Sequence, residues 1–127
     1  MEILSKVDHP NIIKFYEYFE DSRSILIVLE LMTGGELFDV INSKTHFSEL
    51  EVADTIRPII DAIRYCHSMG IVHRDIKPEN LLYSTKDPSS RIIKISDFGF
   101  ARYLTQEELA RTLCGTPYYV APEILEK

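Results

Sequence analysis

The sequence predicts an α+β fold: a small antiparallel β portion first, a helical portion after it, and a short hairpin set into the helical part. Three observations carry this. Two β-prone runs, 13–19 and 25–29, flank the polar turn 21–24. Apolar residues then recur at helical spacing between Ser48 and Met69. Two shorter β-runs, 81–83 and 91–95, enclose the polar loop 84–90.

Taken in order, residues 1–7 read as the tail of a helix with Ile3, Leu4 and Val7 on one face. Pro10 ends it, because the residue before a proline is pushed out of the helical region. The runs 13–19 and 25–29 form a hairpin, and the second, being continuously apolar, is expected to be the more buried. Residues 30–35 are a short linker in which Gly34 and Gly35 give backbone freedom. A glycine pair commonly marks only a turn; a hinge is the functional reading. A short helix follows over 36–41. Ser48 and Glu51 form a capping box that opens a helix reaching about Met69 and closed by Gly70. Val52, Ile56, Ile59, Ile60, Ile63 and Cys66 make its core face. Pro58 removes one hydrogen bond inside it and should kink it.

Composition sets bounds. Of 127 residues, 45% are hydrophobic and 27% charged, a globular balance that excludes a disordered chain. A net charge of −6 and a pI near 5.2 speak against nucleic acid as a partner. No apolar run has membrane-spanning length, so no membrane association is expected. Cys66 and Cys114 lack metal-ligand spacing and are expected as reduced thiols in a cytoplasmic protein, with a nuclear location also open.

The chemistry concentrates around Asp75, Lys77 and Asn80. Asp75 can accept the proton of an attacking hydroxyl. Lys77 can neutralise charge on a transferring phosphoryl group. Asn80 offers an amide oxygen, a hard ligand suited to Mg²⁺. The bland reading is a solvated turn, where charged residues and proline are common. Asp97, in Asp97-Phe98-Gly99, stands at the far end of the hairpin from Asn80. A rigid hairpin holding two oxygen ligands close together suits a Mg²⁺–nucleotide site. The segment 100–127 is polar and irregular and contains Ala121-Pro122-Glu123.

Together these residues resemble the eukaryotic protein kinases: H-R-D-x-x-x-x-N at His73 to Asn80, D-F-G at Asp97, A-P-E at Ala121. Lys77-Pro78-Glu79-Asn80 looks like the serine/threonine version. Gly34 to Asp39, Ser96 and Gly115 to Glu123 are similar to the calcium/calmodulin-dependent group. The resemblance implies a partial protein-kinase-like fold: a small-lobe remnant over 1–29, a hinge over 30–35 and a large-lobe portion over 36–127. It implies ATP and Mg²⁺ as cofactors, with protein substrates and an upstream activating kinase as partners. Asp75 would be the catalytic base and Lys77 its electrostatic partner, with Asn80 and Asp97 the metal ligands. Thr116 would brace the catalytic loop. Leu29 falls at the gatekeeper position, the backbones of Glu30 and Met32 at the adenine hinge, and Leu82 at the floor of the adenine pocket. For Leu29 and Leu82, plain core packing is an equal alternative. Glu36 would reach the ribose or, with Glu79, a basic substrate residue; both are otherwise solvated carboxylates. Thr112 would be a phosphosite paired with Arg74, against the alternative of an unmodified loop threonine.

Two features of the family pattern have no counterpart in these residues: the glycine-rich phosphate loop and the strand that carries the ATP-binding lysine. The expectation is therefore the middle of a kinase domain, inactive when assayed alone. Glu2 does not supply the glutamate that pairs with that lysine, because it falls two residues from the required position and faces away. A small-molecule kinase and a non-catalytic, partner-binding kinase fragment are the competing readings. Lys77, Thr116 and the A-P-E segment weigh against the first, and intact Asp75, Lys77, Asn80 and Asp97 against the second.

Overall fold

The computed structural model describes residues 2–104 and 115–125. Strands β1 (Phe15–Glu20) and β2 (Ile25–Leu29) pair antiparallel, with an irregularity between Phe15 and Glu17. Their turn is built by Asp21, whose Oδ1 accepts from the Arg23 and Ser24 amides at 2.7 and 2.9 Å. The expected burial of the second run is only marginal. Ile25, Leu26 and Ile27 are exposed, and burial begins at Val28 and Leu29. Among the described residues, Phe15 and Leu29 at one end of this two-stranded sheet pack against the core, and apolar sequence alone does not bury the rest.

The helix expected over residues 1–7 is not formed. Residues 2–6 are turns, with the Lys6 amide on the Ile3 carbonyl at 3.0 Å. A segment this short gains too few hydrogen bonds to offset the cost of nucleation. Its apolar face is nevertheless correct: Leu4 and Val7 are buried and Ile3 packs on the core.

Helix α1 (Leu37–Ser43) and the longer α2 (Glu49–Ser68) follow the linker 30–35. The capping box of α2 is complete. Ser48 Oγ accepts from the Glu51 amide at 3.3 Å, and Glu51 Oε2 accepts from the Ser48 amide at 3.0 Å. The Lys44 ammonium and those Ser48 bonds hold the Glu51 carboxyl down to about 2. Pro58 lies within α2 without ending it. The core face is narrower than the sequence suggests: Ile59, Ala62 and Cys66 are buried and Ile63 partly so, while Val52, Ile56 and Ile60 are exposed. Those three lie outside the strip that meets the core, whose α2-facing contacts are with the strands that follow.

Strand β3 (Ile71–Val72) precedes the segment 73–80, β4 (Leu81–Tyr83) and β5 (Ile93–Ile95) form the expected hairpin, and β6 (Arg102–Tyr103) returns to pair with β3. Each partner in the β3–β6 pair is too short to be read from sequence. The chain ends its described part with α3 (Pro122–Leu125). Ile12, Ile71 and Ile95 are the largest fully enclosed side chains, which places the core directly under β5. The segment before β1 is laced to that strand: Ile13 N–H donates to Ile95 O at 2.9 Å and Ile95 N–H to Asn11 O at 2.8 Å. Among the described residues no helix is long and apolar enough to cross a membrane.

Candidate active site

The segment 73–80 is held from both ends. His73 sits buried after β3, edge-on to Phe98 at 4.7 Å between ring centres. Its Nδ1 accepts from the Asp75 amide at 3.3 Å, which leaves Nε2–H to donate to the Ser96 carbonyl at 3.0 Å. Burial holds this imidazole below its ordinary pKa, outweighing the pull of Ser96, Asp75 and Asp97, so it stays neutral at pH 7. Sequence reading quoted His73 in the motif but gave it no task. Its burial against Phe98 supplies one: it carries the D-F-G segment and the loop as one unit.

Asp75 is buried, and three side chains converge on its carboxylate. Thr116 Oγ donates to Oδ1 at 2.7 Å. The Lys77 ammonium lies 3.0 Å from Oδ2, and Asn80 Nδ2 donates to Oδ2 at 3.1 Å and to the Asp75 carbonyl at 2.9 Å. Burial alone would raise the Asp75 carboxyl, but the bonds from Thr116, Lys77 and Asn80 outweigh it and hold the group below the usual range. Hydrogen bonding to that carboxylate raises the Lys77 ammonium, so both charges are present at neutral pH. Lys77 also donates to Thr116 Oγ at 2.6 Å, which closes the three side chains into a ring. Thr116 comes from a segment far along the chain, immediately before the turn Pro117–Tyr119.

The two prospective metal ligands are tied through backbone. Ser96 donates to the Asn80 carbonyl through both N–H, at 2.8 Å, and Oγ, at 3.1 Å. Asp97 follows directly, with a left-handed φ of 53°. One carboxylate oxygen caps the Gly99 amide at 3.1 Å, and the residue is exposed. Because Asn80 turns its amide nitrogen inward onto Asp75, its oxygen is the atom left for a cation. An amide oxygen and an exposed carboxylate are the hard donors that Mg²⁺ takes. The donor set therefore fits the ion.

Residues of the 30–35 linker are also brought to this hairpin. Thr33 and Gly34 donate to the carbonyls of Ser84 and Tyr83 at 3.1 and 2.9 Å, and Tyr83 donates to Gly35 O at 2.9 Å. Gly34 is required by that approach, since a Cβ would collide with the Thr85 carbonyl and lie 2.6 Å from Tyr83 Cβ. The half-buried Glu36 bridges Leu82 across the same edge. Leu29 and Met32 are half-buried and pack on the core, in keeping with the packing alternative for Leu29. Between Glu30 and Thr33 the backbone of Leu31 and Met32 makes no hydrogen bond among the described residues.

Glu79 is half-buried; Tyr119 reaches one carboxylate oxygen at 3.5 Å, and the other is enclosed with no partner among the described residues. Arg74 has a φ of 70° and donates through Nε to the Phe100 carbonyl at 2.7 Å. Its expected partner Thr112 lies outside the described residues, as does Cys114. Tyr119, Ser96 and the ion pair of Glu30 with Lys94 at 2.8 Å took part in no sequence expectation of contact. Each joins residues too far apart for local spacing to signal.

Residues 1–127 match the protein kinase domain family. The chain is 52% identical over 123 residues to calcium/calmodulin-dependent protein kinase type IV of Homo sapiens, covering 97% of this chain and 26% of that protein. It is 51% identical over 126 residues to the probable serine/threonine-protein kinase fhkD of Dictyostelium discoideum, covering 98% and 17%. It is 49% identical over 124 residues to calcium-dependent protein kinase 5 of Plasmodium berghei, covering 98% and 22%. The chain thus spans about a quarter or less of the length of these relatives. With the Asp75 ring, the hairpin-borne Asn80 and Asp97 and a family match over every residue, the chain belongs to the protein kinase domain family, among its serine/threonine members.

Proposed function

We propose that these residues form the catalytic centre of a serine/threonine protein kinase, moving the γ-phosphoryl group of ATP to a protein hydroxyl. The observation that carries this is the ring of Asp75, Lys77 and Thr116. A carboxylate kept ionised and fixed by three donors accepts the proton of an incoming serine or threonine hydroxyl without first having to lose its own. Lys77, fully protonated, places a positive charge beside the position where the phosphoryl oxygens gain charge. Thr116 bonds to both and keeps them aimed. Asn80 and Asp97 would hold Mg²⁺, which when bound neutralises phosphate oxygens. Leu31 and Met32, whose backbone groups make no hydrogen bond among the described residues, offer an edge for adenine next to Leu29, Glu30 and Leu82. Positioning of this kind is the main source of rate in phosphoryl transfer.

Substrates with arginine near the acceptor fit the same site. Half-buried Glu79 and Glu36 are two acidic side chains, and a guanidinium binds a carboxylate by charge-assisted hydrogen bonds. Activation by phosphorylation at Thr112, with Arg74 as counter-charge, belongs to the same reading.

The test is a transfer assay with the full-length protein, labelled ATP and an array of serine and threonine peptides carrying arginine at successive positions. Mg²⁺-dependent labelling that favours arginine near the acceptor is expected. Labelling of no peptide contradicts the activity; labelling indifferent to arginine contradicts the substrate class alone.

A further inference from the structure

Two ion pairs among the described residues are largely removed from solvent. One, Asp75 with Lys77, belongs to the site. The other joins Glu30 to Lys94, whose side chains are 25% and 12% exposed, across 64 residues of sequence. The site as described gives it no task.

Its surroundings do. Glu30 is pinned at the end of β2 by its own N–H on the Lys14 carbonyl at 2.8 Å and by the Lys14 amide on its Oε2 at 3.2 Å. That same oxygen receives Lys94 Nζ at 2.8 Å. Burial works to raise the Glu30 carboxyl, and the hydrogen bonds from Lys94 and Lys14 outweigh it and hold the group below its ordinary value. Lys94 sits in β5 directly opposite Leu82, and directly opposed residues of an antiparallel pair point to one face. The lysine stem therefore lies beside the residue assigned to the adenine floor. Three residues on, β5 delivers Asp97, and Ser96 ties that end to Asn80. The strand is a short rigid bar with the hinge at one end and the metal ligands at the other.

We infer that Glu30 and Lys94 are positioning residues that fix the span between the adenine hinge and Asp97, and so match the site to the length of a nucleotide triphosphate. The inference rests on the functional reading above. It predicts a particular pattern of loss. A ligand gripped at both ends depends on the span; one gripped only at the base does not.

The experiment measures binding of Mg-ATP and of adenosine by calorimetry to the full-length protein and its Lys94→Met and Lys94→Arg variants. Lys94→Met should weaken Mg-ATP roughly three- to tenfold, as expected for coupling within one network, with adenosine unchanged within about twofold. Lys94→Arg, which keeps the charge and reach, should bind both as the parent does. Thermal melts run alongside. A lower Tm for Lys94→Met with Mg-ATP affinity retained means the pair only stabilises the fold and overturns the inference. Equal weakening of both ligands overturns it too, since the pair would then act on the base alone. A parent protein that binds no Mg-ATP overturns this inference and the proposed function together. One that binds Mg-ATP and shows the predicted pattern, yet labels no peptide, overturns the function alone.

Discussion

At the scale of single residues, the site depends on groups that hold Asp75 without themselves reacting. Thr116 is the clearest. Replacing it by valine keeps the shape but removes the hydroxyl that donates to Asp75 and accepts from Lys77. The expected result is a fall in kcat of roughly tenfold to a hundredfold, the scale of a misplaced catalytic group, with little change in KM for ATP. Steady-state kinetics of the full-length protein check it. His73 gives a pH dependence whose sign is fixed. Its folded pKa is depressed from 6.5 by burial, so the unfolded chain binds the proton more readily. The stability it contributes is present above pH 6.5 and is lost as pH falls below that value toward the folded pKa. Melts between pH 7.5 and 5.5 should show a decline that His73→Gln, which cannot titrate, reduces; equal slopes for both proteins would contradict the assignment. Gly34 illustrates what sequence conceals. A glycine pair suggested backbone freedom, and Gly35 with φ of 82° does use it, but Gly34 is needed for the close passage of Tyr83 and Thr85. Gly34→Ala should therefore destabilise by about 1–3 kcal/mol through overpacking.

Among elements, α2 and the β4–β5 hairpin were legible because their signals are local. Ser48 and Glu51 stand three apart, the apolar period is long, and polar residues mark the turn between two short β-runs. The catalytic loop was legible for the same reason, with Asp75, Lys77 and Asn80 at fixed offsets. The β3–β6 pair and the Glu30–Lys94 contact were not, since only tertiary folding brings those residues together. The periodicity of α2 showed which residues share its apolar side but not how much of that side the rest of the chain covers. Neighbouring positions make this measurable in the 127-residue chain. Ile59→Ala, at 3% exposure, should cost about 2–5 kcal/mol in denaturant unfolding. Ile60→Ala, at 57% exposure, should fall within about 0.5 kcal/mol of the parent. Similar losses at both would mean that α2 is covered differently. Ser48→Ala should cost about 1 kcal/mol by removing the cap.

Over the whole molecule, apolar surface is exposed on both the β1–β2 hairpin and α2, at Leu26, Ile27, Val52 and Ile60 among others. Surface of this kind binds apolar dyes and promotes association. The 127-residue chain should bind anilinonaphthalene sulfonate, and Leu26→Lys with Ile60→Lys should lower that binding while leaving its circular dichroism unchanged. What the molecule presents as a unit is a single hairpin that carries the 33–35 contacts on one edge and Asn80, Asp97 and the Asp75 ring at its base. The claim that this arrangement transfers phosphate turns on one atom pair, the Asp75 carboxylate and the hydroxyl proton it would accept. The most direct measurement is single-turnover transfer of the labelled γ-phosphate to an arginine-containing serine peptide, comparing the full-length protein with its Asp75→Asn form. Asparagine keeps the size and one acceptor oxygen but cannot take the proton. The rate should fall by roughly a hundredfold or more, while Mg-ATP affinity stays the same. Equal rates from the two proteins would contradict the account.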